Sequence, residues 1–565
     1  MMNGRVKPSE HHPSSPWPAS EPATQPAFAE AKPQLRAGRL PRVGAANDLA
    51  PRRHLGREVI RSRALARWVA GSSPAMVIIS IVTALLSACN VGPDYAPPAP
   101  PAPQTQSFVS DTPTIASANE PPARWWQLYD TPAIDQLVQA ALTHNTDLLV
   151  AAGDLAEARG ALDLARAGQF PATALSAGAQ YGVSSDQQLL HAIEGNAGAP
   201  SPQMSYTAGL DVSYEVDLWG RVRRAIESAS ANVEAQQAAE DVTRISVAGE
   251  TTRAYVNACA YAEELDVAQH SLAIVTQFYD VTAKEQRDGA ASQFDVARAA
   301  ELVAQTRATL PVYESGRRTA LFELAVLTGR PPEEISKDAD SCKSPPKLAA
   351  VLPVGNVNGL FRRRPDVREA ERQLAANVAQ IGVMTANLYP TITIGASGQT
   401  ASNTIGGLAS ASAFAWAVGP LLSWSFPNIL IAEAQIREAK GAASASYANF
   451  RGVVLQALQD TEVALTAYAN ELSRNASLVT ARDQSQVALN LAKARYEIGS
   501  ASYLDRLTAE TDFVSASETL ADSDQALASD QVTVFKALGG GWEQAPPVHP
   551  LPIIDARTGK QTEVK

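Results

Sequence analysis

The chain has 565 residues, 47 Lys/Arg against 58 Asp/Glu, seven histidines and three cysteines, for a formal net charge of −11. That acidic balance is the wrong sign for a phosphate backbone and argues against nucleic acid as a partner. Cys89, Cys259 and Cys342 form no CxxC pair and the histidines form no HExxH, so neither zinc nor a redox pair is indicated.

The charge is unevenly placed. Residues 1–88 hold twelve Lys/Arg and five Asp/Glu; the remainder holds 35 and 53. Residues 1–50 are rich in Pro, Ala, Ser and charge and read as a disordered extension, which a start codon assigned too far upstream would explain. Over 51–88, Arg52, Arg53, Arg57, Arg61, Arg63 and Arg67 precede 14 uncharged, mostly apolar residues from Ala75 to Ala88. The run falls short of the roughly 20 residues that span a bilayer. A basic region, a short apolar run and small residues before a break describe a secretory signal. The order Leu86-Ser87-Ala88-Cys89 resembles a bacterial lipobox, whose cysteine becomes the lipidated mature terminus, and Asn90 after it implies sorting to the outer membrane. Residues 89–120 then read as a lipid-anchored, Pro-rich extended spacer.

The rest of the chain is duplicated. "DLLVAAGDLAEARGALDLARAGQFP" from Asp147 matches "DVREAERQLAANVAQIGVMTANLYP" from Asp366, pairing Leu155 with Leu374, Phe170 with Tyr389 and Pro171 with Pro390. Further on, Gly289 matches Gly499 and Asp295 matches Asp505. Such a long period is a duplicated domain and not a solenoid of short repeats. The repeats are placed at 121–330 and 355–542, with a C-terminal tail over 543–565.

Each repeat reads as helix, strand pair, very long helix, second helix. The strands are expected over about 173–185, 204–219, 391–402 and 414–427, with loops at 185–203 and 401–413. In "LDVSYEVDL" apolar Leu210, Val212, Tyr214, Val216 and Leu218 alternate with Asp211, Ser213, Glu215 and Asp217, a period of two with one oily face. Tyr181, Tyr206, Tyr214, Trp219, Trp416 and Trp424 concentrate in these strands, as in the aromatic girdles of membrane barrels. Eight strands are about the minimum for closure, so several chains must share one barrel if these four span a membrane. From Arg221 to Asp288 and from Leu430 to Ile498 the sequence is Ala-rich and lacks proline. Each stretch is long enough for a helix of roughly 100 Å. Small residues on several faces suit packing on both sides within a cylindrical wall, and no regular a/d heptad is evident. A bridge between Cys259 and Cys342 is disfavoured, because the first falls in a helical pattern and the second in a distant loop.

"CNVGPDYAPP", "WWQLYDTPAIDQLVQAAL", "YEVDLWGRVRRAI", "RRPDVREAERQLAANVAQIGVMTANLYPTI" and "LSWSFPNI" together resemble the outer-membrane efflux lipoproteins of the NodT group, relatives of TolC and OprM. The resemblance covers about residues 86–542. It implies an α+β membrane protein: a homotrimer whose twelve-stranded β-barrel, four strands per chain, joins a long periplasmic α-helical barrel. It implies a passive conduit in the bacterial outer membrane, serving an inner-membrane pump of the RND class through a periplasmic adaptor. No enzyme activity and no cofactor are implied beyond covalent diacylglycerol and palmitate on Cys89. One departure is local: Leu430, Ile431, Ala432 and Glu433 replace the glycine and arginine that relatives carry there.

The resemblance also places a gate. The turns at Gly289 and Gly499 correspond to the closed periplasmic tip, with Asp505 matching a pore-facing aspartate and Asp295 its first-repeat counterpart. Tyr496 matches a tyrosine that ties neighbouring tip helices, though the arginine partner of that link falls on Ala501. Repeated around a pore, the aspartates would favour cations and raise one another's pKa values. The plainer reading makes Asp295 and Asp505 helix N-caps. Asp211, Glu215 and Asp217 suit either an acidic lumen lining or a solvated face. Trp125 and Trp126 are expected to pack. Two other functions fit parts of the pattern: a type I protein-secretion duct, and a lipid-anchored coiled-coil protein with no pore.

Overall fold

The computed structural model describes residues 90–99, 107–110, 114–195, 199–349, 351–427, 429–554 and 561–562. The leading extension, the signal and Cys89 lie outside the described residues. The principal elements of the first repeat are α1 (Pro132–His144), α2 (Thr146–Ala167), β1 (Ala172–Gly182), α3 (Ser185–Ile193), β2 (Gln203–Val216), α4 (Arg221–Arg287) and α5 (Gln293–Leu327). The second repeat runs α6 (Val357–Arg363), α7 (Pro365–Ala386), β3 (Thr391–Ser402), β4 (Phe414–Ser423), α8 (Ile429–Glu497) and α9 (Tyr503–Ala537).

The proline-free stretches become α4 and α8, of 67 and 69 residues. At 1.5 Å per residue each is roughly 100 Å long. Helix α4 buries Ala231, Ala235, Ala238, Ala248, Ala254, Ala258 and Ala268 at close spacing, so it packs through small side chains round much of its circumference. That is how a helix with neighbours on both sides is built.

The four strands form one antiparallel sheet in the order β1-β2-β3-β4, and the β2–β3 ladder joins the two repeats from Tyr206↔Ser402 to Val216↔Ile392. The register sorts the side chains. Leu175 faces Leu210, Val212 faces Ala396, Tyr214 faces Ile394, and Ile392 faces Leu422. Because residues two apart share a face, Leu175, Tyr181, Leu210, Val212, Tyr214, Ile394, Phe414, Trp416, Val418 and Leu422 cover one side. The other side carries Ser176, Gln180, Ser205, Thr207, Asp211, Ser213, Thr393, Ser397 and Gln399.

Away from the sheet, Trp125 and Trp126 are buried as expected, at 0% and 2% exposure, in a core with Leu465, Tyr468 and Phe535. Trp125 stacks on Phe535 at 4.9 Å between ring centroids. The two-residue strands Ala116–Ser117 and Leu352–Pro353 pair beside this core.

Three expectations need correction. Cys259 and Cys342 are bonded, with Cα atoms 5.1 Å apart. Their separation of 83 residues hid a spatial contact, because the chain between the repeats folds back onto α4. The expected loop after the first strand contains α3, which opens with a capping box between Ser184 and Gln187. Finally, the expected spacer is docked where it is described. Val91 donates to the Trp219 carbonyl at 3.2 Å, the Tyr95 hydroxyl bonds Glu371, and Phe108 and Ile115 are buried in the core.

Candidate functional site

Two helix turns close the far ends of the long helices. After α4 and α8 the backbone reverses through Gly289 at φ +80° and Gly499 at φ +75°. A side chain there would be strained, which is why glycine stands at both positions. Ser292 and Ser502 then cap α5 and α9. Each serine hydroxyl accepts from the aspartate amide three residues on, and each aspartate accepts from the serine amide, at 2.9 Å for Asp295 and 2.8 Å for Asp505. Asp295 and Asp505 are therefore the third helical residues of capping boxes and not the N-caps themselves. Within one chain, the serine hydroxyl and backbone bonds hold both carboxyls below their ordinary range.

The turns are tied to each other within one chain. Tyr503, the first residue of α9, donates to the Asp295 carbonyl at 2.7 Å and stacks on Phe278 of α4 at 5.3 Å. Tyr496 donates to Glu285 of α4 at 2.6 Å, so its link runs to a carboxylate in place of the missing arginine at position 501. Burial and this bond push the Tyr496 hydroxyl up to about 12. The Arg506 guanidinium lies over Phe278 at 4.8 Å and Tyr496 at 5.2 Å. Below it, fully buried Glu510 pairs with Lys493 at 3.3 Å. Glu285, Tyr503, Arg506, Glu510 and Lys493 escaped the sequence reading, since the group is assembled from three helices, α4, α8 and α9. The alignment of the turns did hold a hint: an offset of 210 sets Tyr503 against Gln293 and Arg506 against Val296.

The three acidic residues read as a lumen lining or a solvated face have different surroundings. Glu215 lies on the polar face, but Arg221 grips it, with Nε 2.8 Å from Oε1. Asp217 lies beyond the end of β2 and accepts from the Val222 and Arg223 amides at 3.1 and 3.0 Å, capping α4. Both carboxylates serve the strand-to-helix junction. Asp211 alone of the three stays exposed on the polar face of the sheet.

That junction also receives the chain's leading residues. Arg224, 2% exposed, donates to Asp94 at 2.5 Å, Glu227 at 2.7 Å and the Val91 carbonyl at 3.3 Å. Gly382 of α7 leaves room for it; a Cβ there would come within 2.8 Å of the Arg224 Cγ. Asn90 is thereby seated against Gly220, immediately where the sheet passes into the helices.

The model of the outer membrane efflux protein family matches residues 137–330 and 357–540, most of the chain. This chain belongs to the outer membrane efflux protein family. Nodulation protein T of Rhizobium leguminosarum bv. viciae is 30% identical over 82% of this chain and 93% of its own length. The antibiotic efflux pump outer membrane protein ArpC of Pseudomonas putida is 29% identical over 83% of this chain and 96% of its own. The solved structure of the outer-membrane channel OprN shares 31% identity with a TM-score of 0.73, over 80% of this chain and 100% of that one. For an outer membrane efflux protein the face assignment has a direct meaning. The apolar, aromatic side of the sheet suits lipid, and the small polar side suits a water-filled bore. Among the described residues no helix is long and apolar enough to cross a membrane.

Proposed function

We propose that three copies of this chain form an outer-membrane duct, the exit component of a tripartite efflux pump, which passes small toxic compounds or drugs to the exterior without chemistry of its own. The sheet is the observation that carries this reading. Leu175, Trp416 and Val418 are 84%, 73% and 66% exposed on its apolar face, a poor surface for water and a good one for lipid. Its edge strands β1 and β4 need partners, and four strands fall short of closure. Three chains of four strands supply twelve, enough to close.

The long helices then form the periplasmic barrel, with a periplasmic adaptor and an inner-membrane RND transporter as partners. Cys89 carries the lipid. The clasp at Asn90–Tyr95 supports this, because it seats the residue after Cys89 at the base of the sheet, where membrane begins. Asp295, Asp505 and Tyr496 belong to the closed tip, and six carboxylates from three chains make that tip attractive to cations.

The test is conductance in planar bilayers. Purified protein is expected to conduct weakly, and Asp505→Ala to raise conductance or reduce block by cations. Protein that never conducts, even with Asp295 and Asp505 both replaced by Ala, would overturn the duct. Cys89→Ser should impair anchoring or maturation more than conduction, read by membrane fractionation beside the same recordings.

A further inference from the structure

A second charged cluster lies higher on the helices, outside the turns and the sheet. Glu264 of α4 is 2% exposed, and its Oε1 is buried with no hydrogen-bond partner. Glu518 of α9 likewise has a buried, unpartnered Oε1. The charges that bear on Glu264 are Asp522 of α9 and Glu263 of its own helix, both negative. Tyr313 of α5 completes the group, facing Glu264, Glu518 and Asp522. The nearby cations serve other members: Arg474 of α8 acts on Asp522, and Lys347 of the inter-repeat segment on Glu263, which also meets Asp266 and Asp524.

Glu264 is the buried member; Glu263 and Glu518 are half-buried and Asp522 is exposed. A buried, unpaired carboxylate beside like charges is costly, and such a group takes up a proton instead. Among the described residues no grouping of acidic, histidine or cysteine side chains could hold a metal ion here or elsewhere. We infer that Glu264, Glu518 and Asp522 form a proton-binding seam between α4 and α9, closed while Glu264 is protonated and loosened when it ionises. The step is a simple ionisation: the Glu264 carboxyl releases its proton to water, and the new charge repels Glu518 and Asp522 across the seam. Helix α9 also carries Tyr503, Asp505 and Arg506, so the turn that closes the tip hangs from the helix this seam holds.

The sign follows from the burial. Burial and the two acidic neighbours raise the Glu264 carboxyl to about 8. The folded chain therefore binds more protons than the unfolded chain, and the stabilisation is complete below the unfolded pKa near 4.3 and is lost as pH rises through about 8.

Hydrogen exchange of the full-length assembled protein tests this without depending on conduction. After correction for intrinsic rates, protection in residues 512–526 should fall roughly ten- to hundredfold between pH 6 and 8.5. Glu264→Gln, neutral throughout, should hold the pH 6 level across the range, and Glu518→Gln should lessen the fall. Unchanged protection in the parent would overturn the seam, as would a fall in Glu264→Gln equal to the parent's. If Glu264→Gln does not assemble, infrared titration of the parent decides: a protonated-carboxyl band that disappears between pH 6 and 8.5 supports the seam, and its absence at pH 6 overturns it.

Discussion

The two helix turns share a frame and differ in what is hung on it. Both use a positive-φ glycine and a Ser–Asp capping box. The second turn adds Lys493, Tyr496, Tyr503, Arg506 and Glu510, where the first has Ala283, Gln286, Gln293, Val296 and Ala300. The strand-to-helix junctions differ in the opposite sense. The first is knotted by Glu215, Asp217, Arg221 and Arg224 and holds the leading segment. The second leaves Leu430 74% and Ile431 59% exposed, beside exposed Trp424 and Phe426. A duplicated chain that meets copies of itself has this option: each half keeps the turn geometry, while one junction binds residues 90–95 and the other keeps an apolar surface for a neighbour or lipid.

The largest difference between the halves is covalent. Only the first repeat's long helix is bonded to the inter-repeat segment, through Cys259 and Cys342; position 466, which corresponds to Cys259 in the second repeat, is Thr466. Closing 83 residues of chain stabilises by up to about 4.5 kcal/mol in the loop-entropy picture. Cys259→Ser should lower the denaturation midpoint accordingly and release residues 337–349 to proteolysis. Non-reducing peptide mapping that finds both thiols free in periplasmic material would remove the asymmetry.

Next come the junctions. Arg224→Ala removes a buried guanidinium and its bonds to two carboxylates and a carbonyl, a loss of about 2–3 kcal/mol. Limited proteolysis should then cut within 90–99. At the second junction, Glu433→Ala touches only a 4.0 Å exposed pair with Arg437 and should cost no more than about 0.5 kcal/mol. Equal effects would mean that the junctions do the same work.

The turns follow. Arg506→Ala strips two aromatic rings of their cation and leaves buried Glu510 to Lys493 alone, at a cost of about 2 kcal/mol. Its first-repeat counterpart, Val296→Ala, trims a half-buried side chain and should cost about 0.5–1 kcal/mol. Chemical denaturation of both variants, with exchange read at residues 278–300 and 490–512, separates a second turn that latches the first from two independent turns.

Much of this was legible because long-range order has local causes here. Proline-free, alanine-rich runs gave α4 and α8 to within about two residues at each end. Strict alternation marked β2, and a glycine with an aspartate six residues on marked both turns. What stayed hidden depended on contacts between distant segments. The Cys259–Cys342 bond, the Tyr503–Asp295 tie and the docking of Val91–Tyr95 leave no periodic trace. Asp217 misled for a different reason. The alternation continues through Asp217 and Leu218, but β2 ends at Val216, so a charge that seems to continue the strand face belongs to the helix cap.

The shared frame itself can be tested at the two capping serines. Ser292→Ala and Ser502→Ala each remove one hydroxyl that accepts an orphan helix amide, at about 1 kcal/mol apiece. Because the two boxes are alike, the two losses should match, whatever Arg506 and Tyr503 add elsewhere. Their pH dependence should match too. Asp295 and Asp505 are held below their ordinary range by the serine bonds, so the folded chain binds fewer protons than the unfolded one near pH 4. That stabilisation is present above the unfolded pKa and is lost as pH falls through the lowered folded value. Exchange at residues 290–297 and 500–507 should therefore quicken together in acid, and the serine variants should blunt both responses. The seam at Glu264 loosens in the other direction, towards pH 8. A tip that quickened at only one turn in acid would show that the added residues of the second turn, and not the common capping box, set its stability.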